Sequence, residues 1–224
     1  MFALSVPPPG AGQRLEVLCV GAHCDDIEIG CGGTLLALQE QYPQCRIHWL
    51  VLTSTPGRRA EAAIAAAALL RPSTRGEIRI CELPDGLLPA HLPEVKREFE
   101  AMKRDVAPNL VFTHHGRDLH QDHGLVSQVS WQTFRDHLIL EYEIPKYDGD
   151  LTTPNMYVPL TAAAVARKID VIMHSFPSQT GKFWFTADNL LSLMRLRGLE
   201  SRAESGFAEG FHCRKLVLSW GAMA

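Results

Sequence analysis

Short apolar runs alternate with helical patterns through the first half of the chain. Residues 15–21 are apolar, rich in branched side chains and end at a glycine, which is typical of a strand buried on both faces. The pattern predicts further strands at 46–53, 78–83 and 110–113, and helices at 34–41, 58–70 and 93–106. This alternation predicts a Rossmann-like α/β fold, with an open, mostly parallel sheet and helices on both faces.

The second half of the chain has a less regular pattern. It predicts strands at 138–144 and 215–219 and helices at 161–174 and 188–197. The polar, turn-rich segment 145–159 is predicted to be a surface loop over the site. We find no linker, so residues 15–224 are expected to form a single domain, preceded by a flexible leader at residues 1–14.

Composition narrows the classes of protein to which the chain can belong. Of its 224 residues, 46% are hydrophobic and 21% charged, with a formal net charge of -3, so no basic surface for nucleic acid is expected. No apolar stretch reaches the ~18 residues of a membrane span. Six cysteines without a CxxC pair suit reduced thiols, which favours a cytoplasmic protein. The sequence leaves open whether it forms a homo-oligomer.

Two clusters of polar residues each follow a predicted strand. Residues 23–28 come after the first strand, and residues 114–123 come after the fourth. In open α/β sheets, ligands bind in the crevice beyond the carboxyl ends of the strands. The two clusters are therefore expected to converge there.

The residue types in these clusters suit a catalytic zinc ion. His23, Asp26 and His123 supply two histidines and one carboxylate, which leaves a fourth position for water. Asp25 lies between two of these ligands and is expected to act as the base towards that water. His120 precedes His123 by three residues at a predicted helix start, and we expect it to stabilise the developing oxyanion. The same donors accept Fe(II), Co(II) or Mn(II).

Both clusters resemble the motifs of a known family. Segment 22–28 is similar to the AHPDDE motif, and segment 120–123 to the HPDH motif, of the LmbE/PIG-L family of zinc-dependent de-N-acetylases. The resemblance implies the same three ligands and the same base. It also implies that His120 is the electrostatic stabiliser and that Asp122 supports it. Arg59 at a helix start, where its charge opposes the helix dipole, is expected to contact the substrate.

The expected function is removal of an N-acetyl (N-acyl) group from a small amino-sugar or glycoconjugate substrate by attack of a zinc-bound water. Two alternatives stay open: an amidase acting on a non-sugar N-acyl substrate, and a non-catalytic metal-binding protein with a degenerate site. Cys24 and Gln121 stand where the family usually has proline. Loss of proline is expected to loosen both loops, and Cys24 adds a sulfur atom near the metal.

Other notable residues have simpler structural explanations. Gly30, Gly32 and Gly33 lack the spacing of a phosphate-binding loop and are expected to allow tight packing of a helix on the sheet. His114 and His115 are expected to support the structure or the ligands. The aromatic segment 183–185 is expected to lie in the core or at a subunit interface rather than to stack on a sugar.

Overall fold

The computed structural model describes residues 14–217, so the predicted leader lies outside the described residues except for Arg14. The strands in that range are β1 (Glu16–Gly21), β2 (Arg46–Thr53), β3 (Arg75–Leu83), β4 (Leu110–His114), β5 (Leu138–Tyr142), β6 (Met156–Pro159) and β7 (Ala208–His212). The α-helices are α1 (Asp26–Gln41), α2 (Pro56–Leu69), α3 (Leu92–Asp105), α4 (Gln121–Thr133), α5 (Ala162–Ser175) and α6 (Ala187–Ser201). None of these helices is long and apolar enough to cross a membrane.

The strands form one sheet in the order β3-β2-β1-β4-β5-β7-β6. The first five run parallel, whereas β7 is antiparallel to β5 and β6 is antiparallel to β7. The chain moves outward from β1 to β3 and then returns to β4 on the other side of β1. This topology confirms the predicted open, mostly parallel sheet, and it opens a crevice between the carboxyl ends of β1 and β4.

Alternating residues of the central strands face two separate apolar layers. Val17 and Cys19 pack in the larger layer, which α1, α2, α5 and α6 cover. Leu18 and Val20 pack in the smaller layer, which α3 and α4 cover. Because helices cover both faces of the sheet, the central strands are apolar along most of their length. The helices therefore lie on both faces, as predicted.

Three parts of the chain differ from the predicted elements. The first helix begins at Asp26 instead of residue 34, because the glycines that lower its helix propensity allow it to pack closely on the sheet. The predicted loop at 145–159 ends in the edge strand β6. Residues 215–217 are not in a strand, and residues 218–219 lie outside the described residues. The last strand within the described residues is β7, whose Glu209 interrupts the apolar pattern and is buried against Lys168.

Gly30 allows α1 to lie directly against the sheet. A Cβ atom at this position would stand 2.2 Å from the ring of Tyr142, a distance that real Cβ atoms do not reach. The Tyr142 ring cannot retreat easily, because its hydroxyl donates a hydrogen bond of 2.7 Å to the Val20 carbonyl and the residue is fully buried. The first turn of α1, which carries Asp25 and Asp26 at its start, is therefore held at a fixed distance from β1.

We expect Gly30→Ala to destabilise the protein by about 1–3 kcal/mol, because the added methyl group overpacks the contact with Tyr142. Gly57→Ala is the matched control, since a Cβ atom there meets nothing within 4 Å near the start of α2. Urea unfolding of both variants measures the difference in the free energy of unfolding. Equal stability of the two variants would contradict the close packing described here.

Candidate active site

The two polar clusters converge at the carboxyl end of the sheet. β1 pairs with β4, so the turn after Gly21 and the loop after His114 are neighbours. They border a cavity of about 600 Å³ whose lining includes His23, Asp25 and His123. This volume is within the usual range of small-molecule sites, which is roughly 300–1,000 Å³. The cavity is therefore the candidate active site.

His23 and His123 each present one ring nitrogen to the other, and each of these nitrogens faces a different carboxylate oxygen of Asp26. Nδ1 of His23 lies 3.1 Å from Nε2 of His123 and 3.3 Å from Oδ2 of Asp26. Nε2 of His123 lies 3.5 Å from Oδ1 of Asp26. Two ligands of a tetrahedral zinc ion, each about 2.1 Å from it, are separated by about 3.4 Å. The spacing and the chemistry of the donors therefore fit a divalent metal ion.

The far nitrogen of each histidine is bound to a carboxylate. Nδ1 of His123 lies 2.9 Å from Oδ2 of Asp118. Nε2 of His23 lies 3.2 Å from Oδ2 of Asp122 and 3.1 Å from Oδ1 of Asp85. Metal-binding histidines in proteins are oriented by this kind of contact. These carboxylates orient the two rings so that Nδ1 of His23 and Nε2 of His123 face each other.

One oxygen of Asp25 is held by Arg58, and the other is buried without a hydrogen-bond partner. Its Oδ1 forms an ion pair with Nη2 of Arg58 at 3.0 Å, whereas its Oδ2 has no hydrogen-bond partner in the described structure. The side chain lines the cavity although the residue is only 4% exposed. Burial raises the pKa of Asp25, the Arg58 charge acts against this, and the Asp26 charge adds to it. A carboxylate of raised pKa with one free oxygen is suited to accept a proton.

The ring of His120 contacts the two other histidine rings of the cavity. Its ring stacks on His123 at 4.6 Å and meets the edge of His23 at 4.8 Å. Nδ1 accepts a hydrogen bond from the main-chain N–H of Asp122, which places the proton of the neutral ring on Nε2. Burial and the charges of His123 and His23 lower the pKa of His120. The ring is therefore a neutral donor.

The carboxylate of Asp122 contacts His23, although it was expected from the sequence to support His120. It contacts His23 and accepts N–H donors from Gly86 at 2.7 Å and from Leu88 at 3.0 Å. The contact of Asp122 with His120 is made by its main chain. A residue at the second position of a helix points its side chain away from the residue before the helix. The support for His120 thus comes from the backbone, and the carboxylate orients His23.

The structure places Arg58 in the cavity and Arg59 outside it. Arg59 is about half exposed and pairs with Glu82 on β3. Arg58 lines the cavity and is held by Asp25, by Glu61 at 2.8 Å and by Ser178 at 3.2 Å. Successive helix residues point about 100° apart, so only one of the two arginines can face the site.

Further residues complete the site, and of these only His114 had been assigned a supporting role from the sequence. Lys146 lies 2.9 Å from the same Asp118 oxygen that orients His123. His114 is fully buried, stacks on His123 at 3.9 Å and accepts the N–H of Ala22. Asp118 stands in the second cluster, next to the predicted ligands. Asp85 and Lys146 come from loops remote in sequence, so no spacing along the chain could indicate them.

Cys24 and Gln121, which stand at the positions of the two usual prolines, each form a side-chain hydrogen bond to a neighbouring loop or strand. The Cys24 thiol donates to the Thr53 carbonyl at 3.4 Å, and the Gln121 amide donates to the Gly86 carbonyl at 3.1 Å. A proline side chain can form neither bond, so both loops are secured in another way. Burial raises the pKa of Cys24 to about 12, so its sulfur stays protonated at neutral pH and is a poor metal ligand.

Fold and site together define an α/β protein with a candidate metal site at the carboxyl end of its sheet. A model of the PIG-L family, described as GlcNAc-PI de-N-acetylase, matches residues 18–134, which hold both polar clusters. The chain belongs to this PIG-L (LmbE-like) family. Its relatives include the uncharacterized deacetylase YaiS of Escherichia coli (strain K12), which is 29% identical in an alignment 153 residues long that covers 60% of this chain and 77% of that protein.

Solved structures share the fold at lower sequence identity. The 4-carboxy-2-hydroxymuconate hydratase GalB of Pseudomonas putida KT2440 is 15% identical, with a TM-score of 0.74 over 94% of this chain and 100% of that chain. The N,N'-diacetylchitobiose deacetylase of Pyrococcus horikoshii is 18% identical, with a TM-score of 0.69 over 88% of this chain and 83% of that chain. Because a hydratase and a deacetylase share this fold, the fold alone does not name the reaction.

Two further histidines stack beside the site, between β5 and β7. The rings of His115 and His212 are 3.8 Å apart, and Nδ1 of His115 lies 2.8 Å from a buried oxygen of Glu141. His212 also contacts the Thr152 hydroxyl at 3.1 Å. Burial and the charge of His115 lower the pKa of His212 from 6.5 to about 4. His212 is therefore neutral in the folded protein at pH values where it is protonated in the unfolded chain.

We expect His212→Asn to weaken the loss of stability on acidification. Between its unfolded pKa of 6.5 and its folded pKa of about 4, His212 binds a proton only in the unfolded state, so it destabilises the fold as pH falls. Urea unfolding at about pH 7 and about pH 4.5 measures the difference in unfolding free energy. His174→Asn, on an exposed ring of α5, should match the parent protein. An identical pH dependence in all three proteins would refute the role of His212.

Proposed function

We propose that this protein is a metal-dependent hydrolase that removes an N-acetyl group from a small amino-sugar substrate. The observation that carries the proposal is the juxtaposition of three metal-type donors, on His23, Asp26 and His123, with the free carboxylate oxygen of Asp25. Membership of the PIG-L family supports the reaction, as do the names of a deacetylase relative and a sugar deacetylase of the same fold.

His23, Asp26 and His123 are the residues that would hold the metal ion. A divalent ion supplies Lewis-acid polarisation of the amide carbonyl and lowers the pKa of water at the site. Two imidazoles and one carboxylate suit zinc, and Fe(II), Co(II) or Mn(II) accept the same donors. All six cysteines are free thiols, which suits the reducing cytoplasm that we propose as the location.

Asp25 is the proposed base of the reaction. Its Oδ2 accepts a proton from the attacking water and later delivers it to the amine nitrogen as the C–N bond breaks. The ion pair with Arg58 holds Oδ1. It restricts the rotation of the carboxylate and therefore fixes the position of Oδ2. His120 donates its Nε2 proton in a hydrogen bond to the carbonyl oxygen as that oxygen gains negative charge.

The direct test is acetate release from a panel of N-acetyl compounds by protein loaded with zinc. The panel includes N-acetylglucosamine, an N-acetylated sugar with a larger substituent and non-sugar N-acyl compounds. Release from the sugars alone supports the proposal, and release from the non-sugar amides alone identifies the alternative amidase. A metal-loaded protein that hydrolyses no member of the panel would favour the non-catalytic alternative.

We expect Asp25→Asn to retain about one equivalent of metal while losing turnover by a factor of roughly 10²–10⁴, the usual range for a general base. Asp26→Ala should lose the metal as well, because its carboxylate is one of the three donors. Elemental analysis and acetate release are measured on the same preparations. Glu82→Gln, an acid of the cavity wall bonded to Arg59, is the control. Metal loss in Asp25→Asn but not in Asp26→Ala would reverse the two roles.

We expect His120→Ala to lower kcat by about 10²–10³ with little change in KM, because its hydrogen bond strengthens only as charge develops. The metal content should be unchanged, since the ring of His120 lies beside the donors without being one of the proposed three. Steady-state kinetics and elemental analysis check this. Full metal content with near-normal kcat would leave His120 as a packing residue.

A further inference from the structure

A buried lysine joins the second polar cluster to the loop at residues 144–150, which is called the cavity loop below. The Nζ atom of Lys146 lies 2.9 Å from Oδ2 of Asp118 and 2.5 Å from Oδ2 of Asp150. The Lys146 side chain is 12% exposed, and the two acidic side chains are 5% exposed each. Removing one partner of a buried ion pair is costly, because it leaves a buried charge without compensation. The ammonium therefore holds the two acids together.

Asp118 connects Lys146 to the proposed metal site. The Asp118 oxygen that contacts Lys146, Oδ2, also lies 2.9 Å from Nδ1 of His123. The other oxygen, Oδ1, accepts the main-chain N–H of His120 at 2.8 Å. Asp118 thus holds the ring of a proposed ligand and the backbone of the proposed oxyanion stabiliser. Replacing a group that orients a metal-binding histidine typically lowers metal affinity roughly 10–100-fold.

Asp150 connects Lys146 to the far end of the cavity loop. Its Oδ2 atom, which contacts Lys146, also accepts the main-chain N–H of Leu119 at 2.8 Å. The loop is therefore attached at two adjacent positions, Asp118 and Leu119, which directly precede His120 in the chain. Residues 144–148 of the same loop line the cavity. A shift of the Asp118 carboxylate and a shift of this part of the cavity wall are thus mechanically connected.

We propose that Lys146 is a positioning residue that couples the cavity loop to the proposed metal ligand His123. This inference rests on the metal site of the proposed function. When His123 is fixed as a ligand, its ring fixes Asp118, and Asp118 fixes Lys146 and the loop. Coupling between two sites is reciprocal, so an ordered loop also favours the ring orientation that metal binding requires. Metal binding and the order of the cavity wall are therefore linked in the absence of substrate.

The charge of Lys146 and its positioning role have opposite effects on metal affinity. An ammonium group repels a nearby cation, so its charge alone predicts tighter metal binding after its removal. The positioning role predicts weaker binding. Without Lys146, Asp118 and Asp150 face each other as like charges, because both contact the same nitrogen. Their repulsion turns Asp118 away from His123. The sign of the change in metal affinity therefore distinguishes the two effects.

The first measurement is zinc affinity, obtained without substrate by competition with a chromophoric chelator. We expect Lys146→Met to bind zinc about tenfold more weakly than the parent protein, at the lower end of the range for groups that orient ligands. Lys146→Arg keeps the charge and should retain most of the affinity. Lys182→Met is the matched control, since Lys182 also lines the cavity but forms no ion pair in the described part of the chain. Its zinc affinity should equal that of the parent.

The second measurement is amide hydrogen exchange of residues 144–150 with and without zinc. Zinc should slow this exchange in the parent protein, because fixing His123 orders the loop through Asp118 and Lys146. The zinc effect should be lost in Lys146→Met. It should be smaller in Asp150→Asn, which keeps the contact between Lys146 and Asp118 and loses one acid of the bridge. If Lys146→Met does not fold, the exchange of the parent and of Asp150→Asn decides the inference.

The outcomes separate this inference from the proposed function. Unchanged or tighter zinc binding by Lys146→Met overturns the positioning role and leaves the proposed hydrolase intact. Exchange of the cavity loop that zinc does not alter in the parent protein has the same meaning, as does a full zinc effect in Asp150→Asn. A parent protein that binds no zinc overturns both the inference and the metal-dependent reaction on which it rests.

Discussion

The structure depends on the way in which α1 is held against the sheet. Gly30 allows α1 to approach Tyr142 closely. A buried ion pair between Lys168 and Glu209 also forms hydrogen bonds with the backbone of α1. Lys168 donates to the Ile29 carbonyl at 2.6 Å, and Glu209 accepts the N–H groups of Gly33 and Thr34 at 2.8 and 2.7 Å. These hydrogen bonds offset the cost of burying two charges.

This contact connects the two halves of the fold to one site. Lys168 belongs to α5 and Glu209 to β7, whereas α1 follows the first strand. The antiparallel end of the sheet therefore fixes the helix that begins at Asp26. Asp25, at the cap of the same helix, is fixed with it, and Arg58 then restrains its carboxylate. The position of the proposed base is thus set in part by Tyr142, Lys168 and Glu209, which do not line the cavity.

The alternation of apolar runs and helical patterns was sufficient to predict the parallel part of the fold. Both faces of β1, β2 and β4 are buried, so their sequences are mainly apolar and easy to recognise. The antiparallel end was harder. β7 carries Glu209 and Gly210 at positions where a buried strand is normally apolar, and β6 is a short edge strand. Glu209 can be buried because it pairs with Lys168 and accepts the N–H groups of Gly33 and Thr34, partners that are remote in sequence.

The sequence by itself determined which chemical groups stand at the ends of β1 and β4, since residue type and spacing are local properties. His23, Asp26 and His123 could therefore be singled out as possible ligands. The tertiary structure decided which of the neighbouring side chains face them. It turned Arg58 inward and brought Lys146 to the second cluster from a loop remote in sequence. Such contacts depend on helix rotation and on the paths of distant loops, which spacing along the chain does not specify.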